Sequence, residues 1–232
     1  MAIVVEQALY IQADGGNPTD NFTFTTDLGG SNPTAGNTLI VCVACIDSLT
    51  ITSCDDNTGS NTWVEDATEN TDRFNVFRAS NIASGVTDLD IVLSASGTPW
   101  VFCLEVSGMT NTSPLQDTSA WAADGEGFDT AHGFQYTTQE AGELVVCFGK
   151  ANANRVWTGA NGATSVAGSL DPPESVGREV IYEVVAAAET SDIEWTLSSG
   201  QSCTMALVSY KPAAVGGGFQ TAWANNSNTV IQ

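Results

Sequence analysis

The chain holds a single histidine, His132, set between Ala131 and Gly133. A Ser-His-Asp relay would have to run through it, because the imidazole is the base in such chemistry. No Gly-x-Ser-x-Gly elbow is present to carry a nucleophile. His132 therefore reads as a surface or strand-edge residue. Carboxylates are the other source of chemistry. Asp124, Glu126 and Asp129 cluster in a Gly-rich stretch beside Trp121. Glycoside hydrolysis needs two carboxylates flanking a sugar, and an indole can stack on the ring. The same three residues are weak calcium candidates, as is Asp55-Asp56-Asn57-Thr58-Gly59, since calcium wants several oxygens converging from a short loop. Neither segment follows the EF-hand order. In a chain that is acidic throughout, the plainer reading is a solvated acidic loop at 124–129. The Asp-Asn-Thr-Gly-Ser-Asn segment reads as a strand-connecting turn that uses Asn and Gly for positive φ. The expectation is a protein with no catalytic residues and no cofactor, structural calcium being the one alternative left open.

Charge narrows the partners. Six Lys and Arg stand against 27 Asp and Glu, a formal charge of −21. Such a surface repels phosphates and anionic head groups, which excludes nucleic acid as a partner and argues against a membrane surface. No apolar run reaches the roughly 18–20 residues of a spanning helix. The start, Met1-Ala2-Ile3-Val4-Val5-Glu6, has no basic region and too short an apolar stretch for an export signal, so synthesis and retention in cytoplasm are expected. Of the six cysteines, Cys42, Cys45, Cys103 and Cys147 lie inside apolar runs and are expected to be free thiols that act as small buried hydrophobes. Cys42 and Cys45 would point to opposite faces of a strand, not converge on zinc.

Short β-rich runs alternate with Gly, Asn, Asp, Ser and Thr clusters, the pattern of an all-β antiparallel sandwich of jelly-roll type. Strands are expected at Ala8–Ala13, Phe22–Thr26, Thr38–Ile46, Trp63–Asp66, Phe74–Ala79, Leu89–Ser94 and Trp100–Ser107. A second series is expected at His132–Thr138, Glu143–Gly149, Glu179–Val185, Ile193–Leu197 and Thr204–Tyr210. An internal repeat of about 105 residues relates the two series. Thr38-Leu39-Ile40-Val41-Cys42-Val43 matches Glu143-Leu144-Val145-Val146-Cys147-Phe148, and Arg73–Phe77 matches Arg178–Tyr182. Asp88–Ser94 matches Asp192–Ser198, and Ala13-Asp14-Gly15 matches Ala123-Asp124-Gly125. The halves, about 1–110 and 111–212, either close separate small sandwiches or share one larger core, and the shared core is favoured. The link Ser107–Ser119 lacks flexible-linker composition, and the near-continuous apolar runs need covering on both faces. Trp63, Trp100 and Trp195 are expected in the core, whereas Trp121 and Trp157 fall in expected loops and are candidates for ligand contact.

Beyond Tyr210-Lys211-Pro212 the character changes. Gly216-Gly217-Gly218 makes a hinge in a 213–232 tail, and Phe219, Trp223, Val230 and Ile231 follow as apolar groups with no core of their own. They are the candidate anchors for a neighbouring subunit, the alternative being a tail that folds back on its own sandwich.

The layout resembles a family of β-sandwich proteins of tailed-phage virions and bacterial surfaces. The resemblance rests on Thr34-Ala35-Gly36-Asn37-Thr38-Leu39-Ile40-Val41, Asp55–Trp63, Glu105-Val106-Ser107-Gly108, Ser113-Pro114-Leu115 and Met205–Pro212, with the Gly-rich ending before Phe219-Gln220. It implies a binding or structural module without catalytic residues. With no export signal expected, the virion branch is favoured. The function expected on that basis is a capsid decoration or cement protein, assembled in host cytoplasm. Its partners would be the major capsid protein, other virion subunits and copies of itself in a symmetric array. The alternative is a carbohydrate-binding or adhesin module, as in a head fibre, a tail fibre or a bacterial surface protein.

Overall fold

A computed structural model describes residues 2–12, 19–45, 49–69, 74–123, 131–151, 157–160, 162–166, 177–188, 190–197 and 203–214. The chain is all-β, an antiparallel sandwich architecture with no helix among the described residues. The first half contains β1 (Val4–Gln12), β2 (Thr19–Thr23), β3 (Thr38–Cys45), β4 (Ile51–Asp56), β5 (Trp63–Glu69), β6 (Phe74–Ala79), β7 (Asp88–Leu93) and β8 (Pro99–Ser107). The second contains β9 (Leu115–Ala123), β10 (Ala131–Thr137), β11 (Leu144–Ala151), β12 (Trp157–Ala160), β13 (Thr164–Ser165), β14 (Gly177–Val184), β15 (Thr190–Leu197) and β16 (Cys203–Tyr210). Each half forms one five-stranded sheet, β1-β8-β3-β6-β5 or β9-β16-β11-β14-β13, and one three-stranded sheet, β2-β7-β4 or β10-β15-β12. The second order is the first repeated strand for strand. Apart from the fifth strand, which joins the larger sheet, this is the order of a jelly roll.

Sequence periodicity misses four strands, and for one reason. Ile51-Thr52-Ser53-Cys54-Asp55-Asp56 buries only Ile51, Cys54 and Asp56, with an irregularity between Ile51 and Ser53, and reads as polar, so β4 hides inside an apparent loop. Leu115-Gln116-Asp117-Thr118-Ser119 is equally polar, so the link expected at Ser107–Ser119 contracts to residues 108–114. The strand expected at Phe22–Thr26 instead starts at Thr19 and gives way to a turn after Thr23.

Neither a shared core nor separate cores alone describes the packing, because the described residues form three apolar clusters. The first lies between the two sheets of the first half and includes Phe22, Val41, Cys45, Cys54, Phe77, Ile91 and Cys103. The third fills the second half with Tyr136, Val145, Cys147, Ile181, Ile193, Met205 and Leu207. The second cluster is built from both halves. Ile40, Cys42, Phe74, Trp100, Phe102 and Leu104 meet Leu144, Val146, Phe148, Val180, Val208 and Tyr210 across the facing five-stranded sheets. The chain is thus a four-layer stack of sheets. Every side chain of β3 and of β6 is buried because both faces of that sheet are covered. Phe148 sits at the middle of the joint, with ring centroids 4.6 Å from Phe74 and 5.8 Å from Phe102, the latter edge-on.

Face assignment corrects the register of the repeat. Matching Val41 to Val146 puts one residue in the first core and the other in the joint. A one-residue slip turns a whole strand over, so that alignment cannot be structural. The face-conserving correspondence pairs Ile40 with Val146, Cys42 with Phe148, Val76 with Val180 and Phe102 with Ala206. It places the β-bulge between Val5 and Gln7 over the bulge that opposes Ser209 and Tyr210 in β9. It also leaves Phe74 opposite Arg178, so the matched arginines are not equivalent positions.

One polar lock crosses the joint. The Arg78 guanidinium donates from Nε to Asp66 Oδ2 at 2.7 Å and from Nη2 to Oδ1 at 3.0 Å, with the two side chains 9% and 1% exposed. From the other half, the fully buried Tyr210 hydroxyl donates to Asp66 Oδ2 at 2.9 Å. Burial, and then the adjacent Asp66 carboxylate, push the Tyr210 phenol well above its ordinary pKa, so it stays a donor. Tyr210→Phe is expected to lower stability by roughly 1–2 kcal/mol in urea unfolding, with the sheets still stacked.

Between the halves, Gly108 has φ +76, and a Cβ there would overlap the Ala2 carbonyl oxygen. Gly108→Ala is expected to cost roughly 1–3 kcal/mol from backbone conformation alone, with the overlap added, read as a lowered denaturant midpoint.

Candidate functional site

Three polar arrangements and one groove are the places where the described residues gather chemistry. The first is the turn after β4. Asp56 closes it as acceptor: Oδ1 takes the Thr58 backbone N–H at 2.9 Å, and Oδ2 takes Asn61 Nδ2 and the Trp63 indole N–H, both at 2.9 Å. Burial alone would raise the Asp56 carboxyl, but the hydrogen bonds from Thr58, Asn61 and Trp63 outweigh it and hold the group below the ordinary aspartate value. Asp55 accepts the Asp56 N–H at 2.8 Å, and Asn57 Oδ1 accepts from Thr87 N at 2.8 Å and Asp88 N at 3.1 Å. Asp55 and Asp56 close the turn on itself, and Asn57 ties it to the chain entering β7, which is structural chemistry. Among the described residues no group of three or more His, Cys, Asp or Glu is placed to hold a metal ion.

The second arrangement is a pair of buried carboxylates, one per half, that sequence reasoning passed over. Glu105 is 3% exposed and accepts from Thr34 N at 2.8 Å, Asn37 Nδ2 at 2.6 Å and Gln7 Nε2 at 2.6 Å. In the second half the corresponding turn N–H, that of Glu140, donates to Glu143 Oε1 at 2.8 Å, and Gln139 N donates to the same oxygen at 2.7 Å. Glu143 occupies the position of Asn37, and Ser209 that of Glu105. The carboxylate has moved from one strand to its neighbour while the turn it caps has stayed. Both turns carry an Ala-Gly pair, with Gly36 at φ +90 and Gly142 at φ +85, and both hydrogen-bond across to Ile82 or Val185 in the same pattern. The available signal was an acidic residue inside an apolar run, as in Phe102-Cys103-Leu104-Glu105-Val106.

The third arrangement is the set of thiols. Cys42, Cys45, Cys54, Cys103 and Cys147 are free and buried, with Cys42 in the joint and Cys45 in the first core, on opposite faces of β3. Burial pushes the Cys42 thiol up to about 12, so it stays protonated at neutral pH.

The groove lies at the seam between the halves. After β16 the chain runs back along the 108–114 link: Lys211 N donates to Pro114 O at 2.8 Å, Thr110 N to Lys211 O at 3.2 Å and Ala213 N to Gly108 O at 2.6 Å. Beside this clasp opens a half-open groove of about 480 Å³, walled by Ala2, Ala141, Val184, Val185, Pro212 and Ala213. Gly142 belongs to its rim, where a Cβ would stand 3.7 Å from the Pro212 ring.

The remaining sequence-derived candidates fall as follows. Trp121 and Trp157, expected in loops, lie instead in β9 and β12. The description extends to their backbone only. His132 is in β10, an edge strand of its sheet, and Trp195 is in the central β15. Trp100 is buried in the joint, and Trp63 packs on the first core. Asp124, Glu126, Asp129, Phe219, Trp223, Val230 and Ile231 lie outside the described residues. No family model, curated protein or solved structure matches the chain.

The Asp56 hub sets a pH test. A carboxyl held below its unfolded pKa stabilises fully above about 4 and loses that contribution as pH falls through the lower, folded value. Asp56→Asn is expected to cost roughly 1–3 kcal/mol at pH 7. The gap to the parent protein should narrow in denaturant titrations run below pH 4, and a constant gap would remove Asp56 from this role.

Proposed function

We propose that this protein is a structural component of a tailed-phage virion, a capsid decoration or cement protein that assembles in the host cytoplasm. It acts by contact with the major capsid protein or other virion subunits and with copies of itself in a symmetric array. The observation that carries this reading is the four-layer stack itself. Two sandwiches clamped face to face make a rigid block, and the buried polar side chains on both halves serve turns and the lock across the joint. Such a block presents loops and strand edges without rearranging, so little ordering entropy opposes assembly. Many identical contacts on a shell multiply weak interfaces by avidity. The charge of −21 keeps free copies apart in solution before they dock. The described chain ends at the seam, so the terminal segment with Trp223, Val230 and Ile231 sets out toward a neighbour from one defined corner.

Quantitative mass spectrometry of intact purified particles tests this. The chain is expected at a fixed copy ratio to the major capsid protein, and its absence from particles would end the proposal. Removing residues 215–232 keeps the Ala213–Gly108 bond, so the shortened protein is expected to stay folded by circular dichroism and to lose particle binding. Undiminished binding would show that the tail is not the contact.

A further inference from the structure

We propose that the seam groove is the docking site of the chain's own C-terminal segment, with the Phe219 ring filling it. This stands independently of the virion reading. Apart from Glu140, the wall is apolar, and Ala2, Ala141, Val184, Val185 and Pro212 offer their surface to an apolar guest. The chain itself supplies that guest from the groove's own lip, because Ala213 and Ala214 are part of the lining and residue 215 follows directly. Phe219 is the first large apolar side chain after Val215, and five residues from Ala214 reach at most roughly 17 Å, enough to span a groove of this size. Gly216, Gly217 and Gly218 lie between and adopt either sign of φ, so the chain can reverse there without strain.

Charge and tethering point the same way. Residues 215–232 contain no Asp, Glu, Lys or Arg, so this segment approaches a strongly acidic body without repulsion. A short flexible tether gives a local concentration on the order of millimolar, which favours the chain's own groove over that of a second copy in dilute solution. Trp223, Val230 and Ile231 lie beyond the anchor and stay available to a neighbour. Docked Phe219 would set the direction in which they leave.

The test uses the full chain carrying Ala141→Cys and Gly218→Cys, one thiol on the groove rim and one beside the anchor. Ala141 is outside the three apolar clusters, and far-UV circular dichroism checks that the double variant keeps the fold. Under mild oxidant the introduced thiols are expected to form an intrachain disulfide, seen as a monomer on a non-reducing gel and located by peptide mapping. Phe219→Ser in the same background should slow that link at least roughly tenfold, the effect of losing one buried aromatic ring. A link that forms chiefly between chains would show that a second copy's tail fills the groove and would overturn the proposal. So would a link whose rate ignores Phe219, since tether length alone would then explain it.

Discussion

Both five-stranded sheets carry apolar side chains on their two faces, and an apolar face left in water forfeits about 25 cal/mol for every Å² that could have been buried. Each half can cover one face with its own three-stranded sheet. The other face, with Ile40, Phe74, Trp100 and Phe102 on one side and Leu144, Val146 and Phe148 on the other, has nothing to cover it within its own half. The halves must therefore stack on each other. That single requirement places the link at residues 108–114 on the edge of the joint and brings Tyr210 to Asp66. It also sends the chain out at the corner where Ala2, Gly108 and Pro212 meet.

Within that constraint the repeat has kept geometry and exchanged chemistry. The bulge in β1 and β9, the positive-φ glycine before β3 and β11, and the cross-strand bonds to Ile82 and Val185 recur in both halves. The capping carboxylate does not recur at one position, since Glu105 sits on β8 and Glu143 at the entrance to β11. A turn needs an acceptor aimed at its free N–H groups, and either neighbouring strand can supply one. The joint is less tolerant. Buried Asp66 would be an uncompensated charge without Arg78, and Tyr210 satisfies it from across the joint, so this contact fixes how the two halves register.

Sheets buried on both faces and turns capped by buried carboxylates resist deformation and keep edges and loops at constant spacing. The groove at the seam is the exception to that closure, and it lies where the uncharged terminal segment departs.

The sequence alone determined the class of fold, because alternation with period two and fully apolar runs are local properties. It determined the repeat and most strands of the five-stranded sheets, including Phe74–Ala79 at its observed bounds. It marked Cys42 and Cys45 for opposite faces from spacing alone. Tertiary structure decided whatever depends on which face meets which neighbour. β4 buries only Ile51, Cys54 and Asp56, and pairing with a partner strand is what reveals it, as it reveals β9 and the strand that holds Trp157. The true register of the repeat followed from the packing side of Val41 and Val146, which residue type cannot show because both are valine. Glu143 caps a turn only three and four residues before it, but the capping role of Glu105, the Asp66–Arg78–Tyr210 lock and the seam groove join residues far apart in the chain. Their distances exist only once the sheets are stacked.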